Sequence, residues 1–258
     1  MEATVLSESS SEGKRAAVDV VRLSHVHKLY GGGLGGVHAL HDISMHVAPG
    51  EMVSVCGPSG SGKTTLLNLV GMLEQATEGG VVIANLLISK LSEMARAELR
   101  NDMIGFVFQS FSLIPVMSAR ENVMLPLVLR GRLEHSQMVD AELRAGELLD
   151  QLGLSAQSGY YPPKLDASQC QRVAIARALI SRPRLVIADE PVSRLDNGCI
   201  RMVMDLFARQ QRDHGTAFLV STRDQRQFTR AGRALQLSEG RLVATARAAP
   251  RRPLRVQL

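Results

Sequence analysis

Apolar residues in this chain fall into short solid runs separated by longer stretches of mixed character. Met52–Cys56, Ile104–Phe108, Arg184–Ala188 and Thr216–Ser221 are such runs. A strand buried on both faces of a parallel sheet reads in this way, without alternation. Between them lie stretches of helical character: Thr64–Leu73, Ser92–Arg100, Arg172–Ile180 and Ile200–Gln211. Upstream, Val18–Leu23 and Ile43–Val47 alternate apolar with polar, as an antiparallel layer with one wet face does. Gly79-Gly80 turns the chain into a further apolar run, Val81–Ile88, and two short strands, Ala234–Leu237 and Arg241–Ala244, end the pattern. Residues 110–170 differ. Glu134–Leu154 carries Met138, Ala141, Leu143, Leu148, Leu149 and Leu152 near the 3.6 period of an amphipathic helix. The pattern predicts an α/β sheet core with an antiparallel β layer and a helical insertion. No internal repeat is present.

The first strand of the core runs into Gly57-Pro58-Ser59-Gly60-Ser61-Gly62-Lys63-Thr64, with Thr65 next in the helical run that Thr64 opens. This is G-x-x-x-x-G-K-T between a strand and a helix, the phosphate-cradling loop of P-loop nucleotidases. Glycines let successive N–H groups turn inward where a Cβ would obstruct. Lys63 supplies a mobile charge for the β- and γ-phosphates, and the Thr64 hydroxyl is a ligand for Mg²⁺. The helix N-terminus adds its dipole and unpaired N–H groups. A metal site needs an acid as well. Asp189 ends the run Leu185–Ala188 and Glu190 follows it, so one carboxylate serves the metal shell and its neighbour orients water. Gln109 stands at the end of its own strand, within reach of metal and water.

Composition narrows the context. The chain has 258 residues, enough for one large domain with a subdomain, and is 45% hydrophobic with only 3% aromatics. Net charge is +5, with Arg241, Arg247, Arg251, Arg252 and Arg255 crowding the C-terminal end. That excess reads as a solvated tail over 246–258 or as a contact with anionic lipid or a partner. Cys56, Cys170 and Cys199 have neither disulfide-framework nor zinc spacing, which suits a reduced cytosol. Residues 1–16 are polar and acidic, a disordered tail with none of the features of a signal peptide. No apolar run approaches the ~20 residues of a membrane helix.

Taken together, the P-loop, Gly105–Gln109, Arg172–Leu179, Leu185–Pro191 and Leu195-Asp196 resemble the ATP-binding subunits of ABC transporters. Ile104–Pro115 with Glu121-Asn122-Val123 is most similar to the lipoprotein-releasing and macrolide-export branch. The resemblance implies a P-loop core with an antiparallel β subdomain and a helical subdomain over about 110–170, within an ATP-binding domain spanning 17–245. It implies ATP and Mg²⁺, and a head-to-tail dimer with a second copy or a related subunit. It also implies integral membrane permease subunits as partners, with the chain peripheral on the cytoplasmic face of the inner membrane. By position, Tyr30 stacks on adenine, Gln109 and Glu190 manage water and metal, and Asp196 crosses the dimer interface.

Two departures from the family stand out. Where the family has L-S-G-G-Q, this chain has Leu165–Gln169, reading LDASQ. The family's serine position is Asp166, a carboxylate expected to face the γ-phosphate of the opposite subunit. At ~4 Å and an effective dielectric near ~20 that repulsion is on the order of 4 kcal/mol before screening. Ser168 offers a displaced hydroxyl, and Gln169 keeps its family identity. In the second departure Arg223 replaces the family's histidine. It either loses the histidine's hydrogen-bonding role or acts as an arginine finger, and Asp224 is a candidate to pair with it.

Three functions compete: a transport ATPase for export or extraction, an ATP-gated clamp with little hydrolysis, and a soluble ATPase of DNA repair or translation. The third is disfavoured, since such proteins carry coiled-coil or zinc insertions or tandem halves. Nucleic acid is therefore not an expected partner.

Overall fold

The computed structural model describes residues 19–31, 35–131, 134–223 and 232–247. The expected tails at 1–16 and 246–258 lie outside these residues, except that the last strand runs on through Arg247.

In chain order the elements are β1 (Val21–Tyr30), β2 (Val37–Val47), β3 (Met52–Cys56), α1 (Lys63–Val70), β4 (Glu78–Ile83) and β5 (Leu86–Leu87). Then come α2 (Glu93–Met103), β6 (Ile104–Val107), α3 (Ala119–Val128), α4 (His135–Gln151) and α5 (Ala167–Leu179). β7 (Leu185–Asp189), α6 (Asn197–His214), β8 (Ala217–Thr222), β9 (Arg233–Ser238) and β10 (Arg241–Arg247) complete the described chain.

Two sheets form. The antiparallel one has the order β2-β1-β4-β5, with Val21 facing Val47 on one side and Ile83 on the other. The second has the order β10-β9-β3-β8-β7-β6, parallel from β9 to β6 with β10 antiparallel at its edge. The solid apolar runs now have their cause. Along β7, Leu185 and Ile187 enter one hydrophobic core while Val186 and Ala188 enter another; Ala217, Leu219, Phe218 and Val220 divide in the same way along β8. One core joins the parallel sheet to α1 and the antiparallel layer. The other joins it to α3, α4, α5 and α6.

Besides β1 and β2, which run on to Tyr30 and start already at Val37, three elements differ from the sequence reading. The run Val81–Ile88 is not one strand, because Ala84 (φ 48°) and Asn85 (φ 67°) form a two-residue hairpin turn that pairs Ile83 with Leu86. The helix expected from Arg172 begins five residues earlier, at Ala167, with Asp166 as its cap. Within 110–170, α3 is a separate helix that carries Pro126 and opens on a capping box between Ser118 and Glu121.

Candidate nucleotide site

The parallel strands deliver their chemistry at one edge. β3 ends at the glycine loop, β6 two residues before Gln109, β7 on Asp189, and β8 one residue before Arg223. This is the carboxyl edge of an α/β sheet, where such folds bind ligands.

The loop's spelling follows from its packing. A Cβ on Gly57 would stand 2.1 Å from the Leu237 carbonyl oxygen, so the turn closes on β9 only with glycine there. Gly62 enters α1 at φ 99°, with a virtual Cβ 2.6 Å from the Ala39 carbonyl oxygen. α1 has no side-chain cap and no acid in its first turn. Its N–H groups and dipole are left for an anion. Ser61 is buried, its hydroxyl without a hydrogen-bond partner among the described residues. Lys63 donates to the carbonyl oxygens of Gly57 at 2.8 Å and Pro58 at 2.7 Å, so its ammonium is held by backbone and not by a carboxylate. Burial pushes this ammonium below the ordinary lysine range, and the Arg223 charge adds to that, while Glu190 opposes it.

At the end of the loop the Thr64 hydroxyl donates across to Asp189 Oδ2 at 2.9 Å. The Ser221 hydroxyl donates to the other Asp189 oxygen and accepts the Glu190 N–H at 3.0 Å. Glu190 itself adopts φ 48°, an uncommon conformation for a non-glycine residue at the end of a strand. Its Oε1 accepts from Arg223 Nε at 2.6 Å. Ser59, Gly60, Gly62, Lys63, Thr64, Thr65, Gln109, Asp189, Glu190 and Arg223 line one cavity of about 410 Å³. A larger cavity of about 790 Å³ between α3 and α4 holds none of them.

Other expected residues lie elsewhere. Tyr30 is half-exposed, does not line the cavity, and donates its hydroxyl to Glu74 at 2.5 Å. Lys28 Nζ stands 4.8 Å from its ring centroid. His38 and His41 do line the cavity, their ring centroids 3.5 Å apart. Asp166, Ser168 and Gln169 sit at the start of α5, away from this cavity. The Asp166 carboxylate accepts the Gln169 N–H at 2.8 Å, while Gln169 Oε1 accepts the Asp166 N–H at 2.9 Å. A short carboxylate at an N-cap reaches the helix's own N–H first. The Ser168 hydroxyl is buried without a partner among the described residues. Asp196 likewise caps α6 through the Cys199 N–H at 2.8 Å, and that bond holds its carboxyl below the ordinary range. Arg223 pairs with Glu190; Asp224 lies outside the described residues. Ser221 went unpredicted because nothing local marks it. It earns its place through the pairing of Asp189 with Ser221 between β7 and β8.

Residues 40–193, which hold the loop, the acid pair and the α5 cap, match the family model of the ABC transporter. The chain belongs to that family. Over 223 residues it is 42% identical to the lipoprotein-releasing system ATP-binding protein LolD of Bordetella avium (strain 197N), covering 86% of this chain and 95% of that one. To LolD of Legionella pneumophila (strain Lens) it is 39% identical over 227 residues, covering 88% and 98%. Among solved structures it resembles the dimeric post-hydrolysis state of the ATP-binding cassette MJ0796 bound to ADP and Pi. The TM-score is 0.83 and the identity 36%, over 89% of this chain and 99% of that one. The fold is thus the P-loop ABC cassette that the motifs implied.

Proposed function

We propose that this chain is the ATP-binding and ATP-hydrolysing subunit of a lipoprotein-releasing ABC transporter. Working as a dimer, it would drive extraction by integral membrane permease subunits from the cytoplasmic face of the inner membrane. The observation that carries the reading is the uncapped N-terminus of α1, whose first-turn Thr64 hydroxyl is bonded to Asp189 on the wall of one cavity. Relatives named for lipoprotein release supply the substrate class, and the dimeric cassette bound to ADP and Pi supports pairing and hydrolysis.

The residues also fit Mg²⁺. Thr64, Asp189 and Gln109 offer a hydroxyl, a carboxylate and an amide oxygen on one cavity, and a single carboxylate suffices when phosphates and water complete the shell. The ion would neutralise charge developing on the β- and γ-phosphates. The chain does the rest. Loop N–H groups and Lys63 bind the phosphates, Ser221 fixes Asp189, and Glu190 orients water and accepts its proton. Asp166, Ser168, Gln169 and Asp196 would meet the nucleotide of the opposing copy, and Tyr30 the base.

A second reading, a clamp that closes on ATP and hydrolyses little, is favoured by one contact: the Glu190 carboxylate is engaged by Arg223. Steady-state phosphate release separates the two. Losing one preorganised donor costs on the order of 3 kcal/mol, a hundredfold or more in rate. The native chain should therefore turn over slowly while binding Mg-ATP tightly. Restoring Asp166→Ser, Ala167→Gly and Ser168→Gly together with Arg223→His should raise turnover strongly, and Glu190→Gln in that background should remove it. Native turnover of tens per second (on the scale of typical enzymes), unchanged by repair, would dismiss the clamp. Lys63→Ala should abolish Mg-ATP binding; unchanged affinity would overturn the site.

A further inference from the structure

Glu190, the residue suited to orient water, and Arg223, which stands where the family has histidine, touch at 2.6 Å in the wall of the nucleotide cavity. The two sides of this pair differ in freedom. The Glu190 side chain is 11% exposed, and its backbone is fixed by the Ser221 hydroxyl. The Arg223 side chain is 59% exposed and follows the end of β8, so the guanidinium is the partner able to move.

Arginine keeps its proton throughout the working pH range, so Arg223 cannot take up a histidine's acid or acceptor role. What it can do is exchange one anion for another. A carboxylate offers it one negative charge. A γ-phosphate offers more charge on an edge as well matched to the guanidinium fork as a carboxylate's. While Arg223 holds Oε1, the Glu190 carboxylate is charge-compensated, and one of its two oxygens is unavailable to water.

We propose that Arg223 and Glu190 form an exchange latch that reads the γ-phosphate. Without it Arg223 holds Glu190; with it Arg223 moves to the phosphate and frees the carboxylate for water. ADP, which lacks that group, leaves the latch closed. Arg223 is then a positioning residue for Glu190, and the chain distinguishes triphosphate from diphosphate with the residue that seemed a defect. The inference rests on reading this cavity as an ATP site.

Binding isotherms of the full chain with the magnesium complexes of ADP and of the non-hydrolysable analogue adenylyl imidodiphosphate test it. Arg223→Gln should weaken the triphosphate analogue about tenfold and leave ADP within about twofold, a triphosphate-only loss of the size expected for a charge-assisted contact. Glu190→Gln should tighten the analogue about fivefold by removing the competing anion. The double variant is decisive. If Arg223 reaches the phosphate, Arg223→Gln in the Glu190→Gln background should cost more than in the native chain, about fiftyfold by the product of the two effects. If Arg223 only masks the Glu190 charge, that cost should vanish. Equal losses for ADP and the analogue would reduce Arg223 to a structural role. Either result overturns the latch while leaving the ATP site standing. A native chain that binds neither nucleotide would overturn both.

Discussion

Glu74 shows how much a single residue near the P-loop helix can hold. Burial alone would raise its carboxyl, but hydrogen bonds from Tyr30, Asn68 and Lys28 outweigh that and hold it below the ordinary value of 4.5. A carboxyl lower in the folded than in the unfolded chain contributes stability that is present above about 4.5. That stability is lost as pH falls through the folded value. Glu74→Gln should therefore cost about 1 kcal/mol at neutral pH, allowing for solvent screening, and flatten the acid limb of a denaturation series. An unchanged acid limb would show that Tyr30 and Lys28 are not anchored through this carboxylate. Legibility at this scale followed chain distance. Lys63 and Thr64 declare themselves within one motif, and Asp189 and Glu190 by ending an apolar run. Ser221 reaches Asp189, and His38 and His41 reach the cavity, only through strand register and sheet contacts, which no local pattern encodes.

Among the elements, α3 and α5 hold the segment that follows Gln109. Asn122 is fully buried; its Oδ1 accepts the Ile114 N–H at 2.7 Å and its amide donates to Ile114, Met117 and Ser118 carbonyls. Arg177 donates to the carbonyls of Phe111 and Ser112, two residues at positive φ. The branch-like Ile104–Pro115 and Glu121–Val123 runs meet here, Asn122 of one holding Ile114 of the other. The hairpin at Ala84-Asn85 was hidden because the apolar run continues through it, and Asn85 alone hinted at a turn. The α5 cap makes its own prediction. Asp166→Ala should cost about 1 kcal/mol of stability, whereas Asp166→Ser, which keeps the cap, should stay within a few tenths. Thermal unfolding decides this. A comparable loss in both would mean that repair of the LDASQ segment cannot be read from hydrolysis rates alone.

For the whole molecule, no helix among the described residues is long and apolar enough to cross a membrane. Co-expression with permease subunits should raise the chain's share in the membrane fraction above that of the chain expressed without them. Sedimentation with lipid vesicles alone, reversed by salt, would instead point to the arginine-rich C-terminal end. The overall architecture was legible, because four short apolar runs separated by helical stretches read as strands covered on both faces. How those faces are apportioned was not, since it depends on which helices settle against each.

That apportionment has a consequence for how the molecule comes apart. α3 and α4 are anchored in one core, while α1 and the antiparallel layer are anchored in the other, with the parallel sheet between them. Losing one need not expose the other, so the helical side can open as a unit while the glycine loop keeps its shape. Amide exchange should then show two tiers. Protons of β3, β7 and β8 should exchange only on global unfolding, and those of α3 and α4 at lower free energy, in a common step that leaves α1 protected. A protease should accordingly nick the helical side first and release a fragment that still carries the loop.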